Sequence, residues 1–563
     1  MASFFIPVYN SLGNTMFAIV GIAIFYAAWR TWRFTVQPAL HPERAKELPY
    51  LIPCIIHTLF PIHRVVSNAG GQSLAMPSLS LPMVMARFRA GGVLSTRQNP
   101  HAQLMYEQHR RYFQNNREPF ALTVFGATIY VVLTAADVAT VFRRTDALTF
   151  DSYITDIMAQ IGLTQGAIDA MWRYRPASSG DRKGAMVPNP GKKPLVHLSE
   201  AIFKYQLHPG KQLDVLQDAL LDRIHEVMTW DAMTLSSTVV LGHGVGRADK
   251  RRVSLLHWVR FVLLEGATRA FFGNALLDKV DPGILEDFAD FDDQSWKLVY
   301  RLPPPWSVSM KRSLKRVKAS FTRYFEMPVE ERLDACWMVR AMESEMAAAG
   351  IQPPDIAANL FLIFWILAQL VHRPALLQRV RAEVRAALAA STTSAGLAGQ
   401  LEDSGACPAT LAAYHEALRL SASSMGVRDV VAPVGVGGRL LRPGARLLIP
   451  FRQMLTDGAV WERSDEDADE FDAERFLHDP GLADAKRNPS YRPFGGGATL
   501  CPGRFLAKRE VLTCVALAVG RFELGLADAD ASVPQVEGRV PCLGIMKPVD
   551  GEDVEVVVVC RRH

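Results

Sequence analysis

Apolar residues recur at helical spacing over Leu213 to Trp230, Leu255 to Phe272 and Leu376 to Leu388. Positions three and four apart share one helical face, so each run predicts an amphipathic helix with a buried stripe. Phe120 to Ala136 reads differently: β-branched and aromatic residues surround Phe125-Gly126-Ala127, as in a hairpin. Ile356 to Gln369 is apolar nearly all round, which predicts a fully buried helix crossing the core. Ala389 to Gly405, rich in Ala, Ser, Thr and Gly, predicts a surface loop. Pro303-Pro304-Pro305 ends one helical pattern before a basic helix carrying Lys311, Arg312, Lys315 and Lys318. A basic face of this kind is ordinarily solvated; contact with lipid headgroups is the alternative.

The N-terminal pattern is of another kind. Ser11 to Trp29 is uncharged, mostly apolar and about long enough to span a thin bilayer. Arg30, Arg33 and Arg44 follow it and no charged side chain precedes it, which puts the body of the chain in the cytosol. A cleaved signal peptide is the rival reading, but its positive leading region is missing. The expectation is a single signal anchor over residues 1–33, then a hinge over 34–60 and one catalytic domain over 61–563.

Composition narrows the class. The chain has 563 residues, 49% of them hydrophobic and 21% charged, enough for a large buried core. A net charge of +5 without a long basic tract gives no support to nucleic-acid binding. Seven cysteines lie scattered without zinc-type pairing, as reduced thiols in a cytosol-facing protein would. Gly242-His243-Gly244-Val245-Gly246 lacks the spacing of a dinucleotide loop and reads as a turn.

One stretch carries the chemistry: Phe494-Gly495-Gly496-Gly497-Ala498-Thr499-Leu500-Cys501-Pro502-Gly503-Arg504. A cysteine follows a glycine-rich turn and precedes a helix-competent run, Phe505 to Val519. Glycines let a backbone approach a flat ligand closely. A sulfur at a helix start sits near the positive end of the dipole, which favours thiolate. The bland reading is a buried structural cysteine.

The stretch resembles the Phe-x-x-Gly-x-x-x-Cys-x-Gly signature of the cytochrome P-450 superfamily of haem-thiolate enzymes. Glu416-Ala417-Leu418-Arg419 is similar to that family's Glu-x-x-Arg, whose spacing puts both charges on one helical face. Phe471-Asp472-Ala473-Glu474-Arg475-Phe476 is similar to its Phe-x-Pro-x-Arg-Phe segment, with Ala473 where proline is usual. Pro49-Tyr50-Leu51-Ile52-Pro53 resembles the hinge of microsomal members, and Phe364-Trp365 with the segment from Ala267 to Gly273 resembles the branch of sterol 7-alpha-hydroxylases, prostacyclin synthase and fungal relatives.

The resemblance implies a mainly α fold with small β-sheets, a helical haem domain behind an N-terminal transmembrane helix, and haem b with Cys501 as axial iron ligand. Phe494, Gly497 and Gly503 would border the cofactor, and Arg428 would meet a propionate. The family arginine two residues before the cysteine is Thr499 here. Glu416, Arg419 and Arg475 would brace the loop behind the haem, an architectural role rather than a catalytic one. Arg504, Lys508 and Arg509 would either attract an NADPH-cytochrome P-450 reductase or stand as ordinary surface charges.

On the central helix the family usually carries an acid or amide followed by threonine. Here Ala358 and Asn359 take those positions, or Leu360 falls at the second if the register shifts by one residue. Asn359 has three readings. It bonds a backbone carbonyl one turn away; or its amide serves monooxygenation by holding a water; or the missing threonine marks an isomerase or dehydratase that rearranges a lipid peroxide without external electrons. The main expectation is a monooxygenase of the endoplasmic reticulum membrane acting on a terpenoid, sterol or related lipophilic specialised metabolite.

Overall fold

The structure is a computed structural model and describes residues 20–47, 117–124, 127–175, 187–235, 238–243, 250–299, 304–348, 373–461, 468–536, 544–549 and 552–560. The hinge prolines, Asn359 and the rest of the central apolar segment lie outside the described residues. The chain gathers into two compact units, one from residues 1–96, 104–150 and 427–449, the other from 97–103, 151–426 and 450–563.

The first unit is built on a sheet. Strands β1 (Lys46–Glu47), β2 (Phe120–Val124), β3 (Ala127–Val131) and β4 (Leu148–Thr149) are joined by the later strands β5 (Met425–Val430) and β8 (Arg446–Pro450) in the order β1-β2-β3-β8-β5-β4. Between β5 and β8, β6 (Val434–Val436) and β7 (Arg439–Leu441) pair as a separate antiparallel ribbon. β2 and β3 are antiparallel, Phe120 opposite Val131, so the hairpin brackets Phe125 and Gly126. Phe120 and Val131 are buried at 1% exposure each, which fixes register, since a one-residue slip would turn both outward. Helix α1 (Ala135–Arg143) follows, its N-terminus capped by the Thr134 hydroxyl accepting from the Asp137 amide.

The second unit is mostly helical. Its main helices are α2 (Lys211–Val227), α3 (Leu255–Phe272), α4 (Ile284–Asp292), α5 (Val308–Glu326), α6 (Trp337–Ala348), α7 (Pro374–Ala390), α8 (Ser394–Glu402), α9 (Pro408–Ser421), α10 (Glu474–His478) and α11 (Arg504–Arg521). A small antiparallel sheet joins Phe522–Leu526, Glu555–Cys560, Lys250–Ser254 and Val240–His243 in that order. Gly242 and His243, read as the start of a turn, instead lie in an antiparallel strand; Gly244, Val245 and Gly246 lie outside the described residues. α11 is the axis of the core: Val511 through Gly520 are all buried. It meets α7 at Gly520, where an added Cβ would come within 2.7 Å of Leu388 Cδ1.

One expectation is overturned. Within Ala389 to Gly405 the chain forms α8, not a surface loop. Thr393 caps it by accepting from the Gly396 amide at 3.1 Å, and Leu397, Ala398 and Leu401 are buried. Leu397 and Leu401, with Ala398 between them, form the buried side, while Ala395, Gly396 and Gly399 face outward. Among the described residues no helix is long and apolar enough to cross a membrane. The first part of the run from Ser11 to Trp29 lies outside them; its described part, from Val20, is helical and exposes Ile22, Ile24 and Phe25.

Candidate active site

Glu416 and Arg419 sit one turn apart on α9, both with fully buried side chains. Arg419 grips the carboxylate with two parallel bonds, Nε to Oε2 at 2.8 Å and Nη2 to Oε1 at 2.7 Å. Arg475, from α10, donates Nε to Glu416 Oε1 at 3.3 Å, and the Asp472 amide donates to the same oxygen at 3.0 Å. One carboxylate cannot neutralise two guanidinium groups, so carbonyls take the remaining donors. Arg419 Nη1 donates to Leu455 O at 2.9 Å and Ala468 O at 2.7 Å, and Arg475 Nη1 donates to Trp461 O. Burying these charges is tolerable because each is paired and hydrogen-bonded. Ala473 holds a φ of −65°, the angle a proline would fix, so the departure from the family segment leaves the backbone path intact.

Downstream, the chain turns back on itself before α11. The Cys501 amide donates to Phe494 O at 3.1 Å, and Gly495 donates to Arg492 O at 3.1 Å. Gly495 and Gly497 have φ of 76° and 63°, the left-handed region that glycine alone enters freely. At Gly495 a Cβ would also press on the Phe451 ring at 3.4 Å. Gly503 is less constrained: a Cβ there would make only an ordinary 3.9 Å contact with Cys501 Sγ. Phe494 is partly buried against the main core.

Cys501 is half-buried, and its sulfur accepts from the backbone amides of Gly503 and Arg504. Burial pushes the thiol up, and those amides with the Arg504 guanidinium pull only part of the way back. The free group is thus a thiol, and the tilt towards thiolate expected from the helix start is outweighed by desolvation. Coordination to a metal deprotonates such a thiol outright. A partly open sulfur with two amide donors, behind a turn whose glycines cannot carry side chains, fits an axial haem ligand.

The remaining expected site residues separate. Arg428 belongs to the first unit, on β5, and is buried at 4% exposure. Its guanidinium lies over the Phe142 and Phe150 rings at 5.7 and 5.5 Å, Nη1 donates to Val427 O at 2.6 Å, and burial lowers its pKa. Thr499, at the family arginine position, turns its hydroxyl back to Gly496 O at 3.2 Å. Of the three basic residues after the cysteine, Arg509 is committed to Glu402 at 2.8 Å and to Gln217, while Arg504 donates to Cys501 O at 2.8 Å.

Sequence reasoning missed three polar groups near this loop, Tyr414 buried and His415 and Glu510 half-buried. His415 Nδ1 lies 2.9 Å from the Tyr491 hydroxyl, and burial, with Lys508 adding to it, drives its pKa down to about 3. Tyr414, fully enclosed, has a hydroxyl without a hydrogen-bond partner among the described residues and feels the charges of Glu402 and Cys501. Glu510, on α11, is pushed up to about 8 by desolvation. Its signal was available: the one acid of α11, placed just before the apolar run that starts at Val511.

Fold and site together define a haem-thiolate oxidoreductase. The family description "Cytochrome P450" matches residues 361–553. "Cytochrome P450 monooxygenase calL" of Penicillium decumbens is 25% identical over 437 residues, covering 71% of this chain and 78% of that protein. "Cytochrome P450 monooxygenase poxD" of Penicillium oxalicum is 24% identical over 447 residues, with 74% and 82% covered. A mutant cytochrome P450DA heme domain shares the fold, with a TM-score of 0.52 at 16% identity, over 82% of this chain and 92% of that one. The chain belongs to the cytochrome P450 superfamily, is a P450 monooxygenase by class, and takes haem as cofactor.

Proposed function

We propose that Cys501 is the axial thiolate of haem b and that the chain hydroxylates a lipophilic specialised metabolite, a terpenoid or sterol, with electrons from an NADPH-dependent reductase. The observation that carries the ligand assignment is the half-buried sulfur at the start of α11, receiving two backbone amides. Bound haem supplies dioxygen activation; the protein supplies position, polarity and exclusion of water. Phe494 shields the sulfur side. Gly497 gives the loop its close approach, and Gly503 donates its amide to the sulfur. The Glu416–Arg419–Arg475 cluster fixes the chain that precedes the loop. Arg428, buried on β5 beside Phe142 and Phe150, is assigned to a propionate. Asn359 is assigned to the distal side, where its amide would hold a water or orient a substrate.

The membrane anchor of residues 1–33, the hinge of 34–60 and a single catalytic domain over 61–563 complete the reading, with the domain facing the cytosol from the endoplasmic reticulum. A membrane-borne enzyme meets substrates that partition into lipid, which supports a lipophilic substrate. The missing threonine at Asn359 favours one second reading, an isomerase or dehydratase acting on a lipid peroxide.

Growth of the native host with and without this gene under heavy-isotope dioxygen separates the two. A lost product heavier than its precursor by one labelled oxygen atom supports monooxygenation. Precursor and product of equal mass, with no requirement for reductase, would replace it by isomerisation.

A further inference from the structure

The bonds of the buried charge cluster end short of the loop that bears the sulfur. Glu416 accepts from Arg419, Arg475 and the Asp472 amide, and Arg419 donates to the carbonyls of Leu455, Ala468 and Glu470. These partners lie at positions 455–475, whereas the turn that closes on Cys501 starts at Phe494. An aromatic seam joins the two. The Arg419 guanidinium lies over the Trp461 ring at 5.1 Å, and Arg475 Nη1 donates to the Trp461 carbonyl. Trp461 and Phe476 in turn flank Tyr491, with ring centroids 6.1 and 5.5 Å from it.

Tyr491 is the root of the loop. It is buried and stands three residues before Phe494, a span of at most about 11 Å. Its hydroxyl and His415 Nδ1 share a hydrogen bond at 2.9 Å, and the His415 carbonyl lies 3.5 Å from the same oxygen. His415 immediately precedes Glu416 on α9, so this bond ties the root of the loop to the turn of helix that carries the cluster. Burial disfavours the charged form of both rings, which keeps the pair neutral and the bond in place. A phenylalanine would fill the same space between Trp461 and Phe476. Only the hydroxyl gives the contact a direction, since apolar packing is non-directional.

We propose that His415 and Tyr491 are positioning residues for the haem thiolate: their hydrogen bond carries the rigidity of the charge cluster to the loop and so holds Cys501 Sγ in place on the iron. The inference rests on the assignment of Cys501 as axial ligand. Without the bond the loop root can turn about the Tyr491 ring, and the sulfur moves with it through the Phe494 carbonyl that holds the Cys501 amide at 3.1 Å.

The test follows the ferrous carbonyl complex of the haem-loaded protein and times the loss of its thiolate-type spectrum at a temperature well below melting. Tyr491→Phe and His415→Leu should each lose it roughly fivefold faster, the factor that one hydrogen bond of ordinary net strength supplies. The double variant should be no faster than either single one, because both remove the same bond. His415→Asn, whose amide can meet the phenol, should recover part of the effect, and it keeps the comparison open if Tyr491→Phe takes up no haem. Tyr324→Phe removes a different buried phenol bond, from α5 to the Phe272 carbonyl at 2.7 Å. It should lower the melting temperature without hastening the spectral change. Variants that match the wild-type rate, or a Tyr324→Phe as fast as Tyr491→Phe, overturn the proposal while Cys501 stands as ligand. A wild type without a thiolate-type spectrum overturns both.

Discussion

The Cys501 amide donates to the Phe494 carbonyl at 3.1 Å, so one backbone hydrogen bond closes the loop whose last residue bears the reactive sulfur. Everything between the two residues is thereby held as a compact turn, and the sulfur is aimed by backbone rather than by its own rotamer alone. Cys501→Ala should abolish the thiolate-type spectrum of the ferrous carbonyl complex while leaving secondary structure unchanged. Absorption and circular dichroism on the same sample check it; a retained thiolate spectrum assigns the ligand elsewhere.

Glu416→Gln removes the one negative charge that two buried guanidinium groups share. The expected loss is about 3–5 kcal/mol of stability, the usual cost of stranding a buried partner. Urea denaturation gives the number. Arg379→Gln, which breaks an exposed pair with Glu474, should cost less than about 1 kcal/mol and serves as the contrast.

Gly497→Ala forces a side chain into the left-handed region at φ 63° and should cost about 1–2 kcal/mol. Gly503→Ala meets only a 3.9 Å contact with the sulfur and should leave the haem-free protein within about 1 kcal/mol of wild type. Melting of both variants, with and without haem, distinguishes a backbone requirement from one imposed by the cofactor.

Two half-buried groups set opposite pH limits. His415 falls from 6.5 to about 3 in the folded chain, so between those values the unfolded chain binds more protons. Its contribution to stability is whole above 6.5 and is lost as pH falls towards 3. Glu510 rises from 4.5 to about 8, so its contribution is whole below 4.5 and is lost as pH climbs through 8. His415→Gln should flatten the acid arm of a stability profile by several kcal/mol, at about 1.4 kcal/mol per pKa unit. Glu510→Gln should flatten the alkaline arm. Urea midpoints across the pH range read both; unchanged arms would remove these residues from the account.

Much of this was legible before any fold was seen. The Glu416-x-x-Arg419 spacing puts both groups on one face whatever surrounds them, and the run from Phe505 to Val519 reads as helix-competent, as α11 is. What escaped was set by tertiary context. α8 looked like a loop because its alanines, glycines and serines hide a short stripe, and only its packing in the fold shows that Leu397, Ala398 and Leu401 form a buried side. The outcome at Cys501 was hidden for a similar reason: the amides at the helix start are local, but the burial that outweighs them comes from distant residues. Arg509 looked available to a partner until Glu402, on α8, was seen to hold it.

The Glu416 carboxylate joins groups 56 and 59 residues away along the chain, Asp472 and Arg475. Helices form within microseconds, but a contact across such a span waits for the chain ends to meet. Until it closes, two arginines and a glutamate remain hydrated and nothing braces the segment leading to Cys501. Haem capture that depends on the braced loop is therefore expected to follow the closure of this junction. Haem supplied early in refolding should be taken up only at the pace at which this distant junction closes.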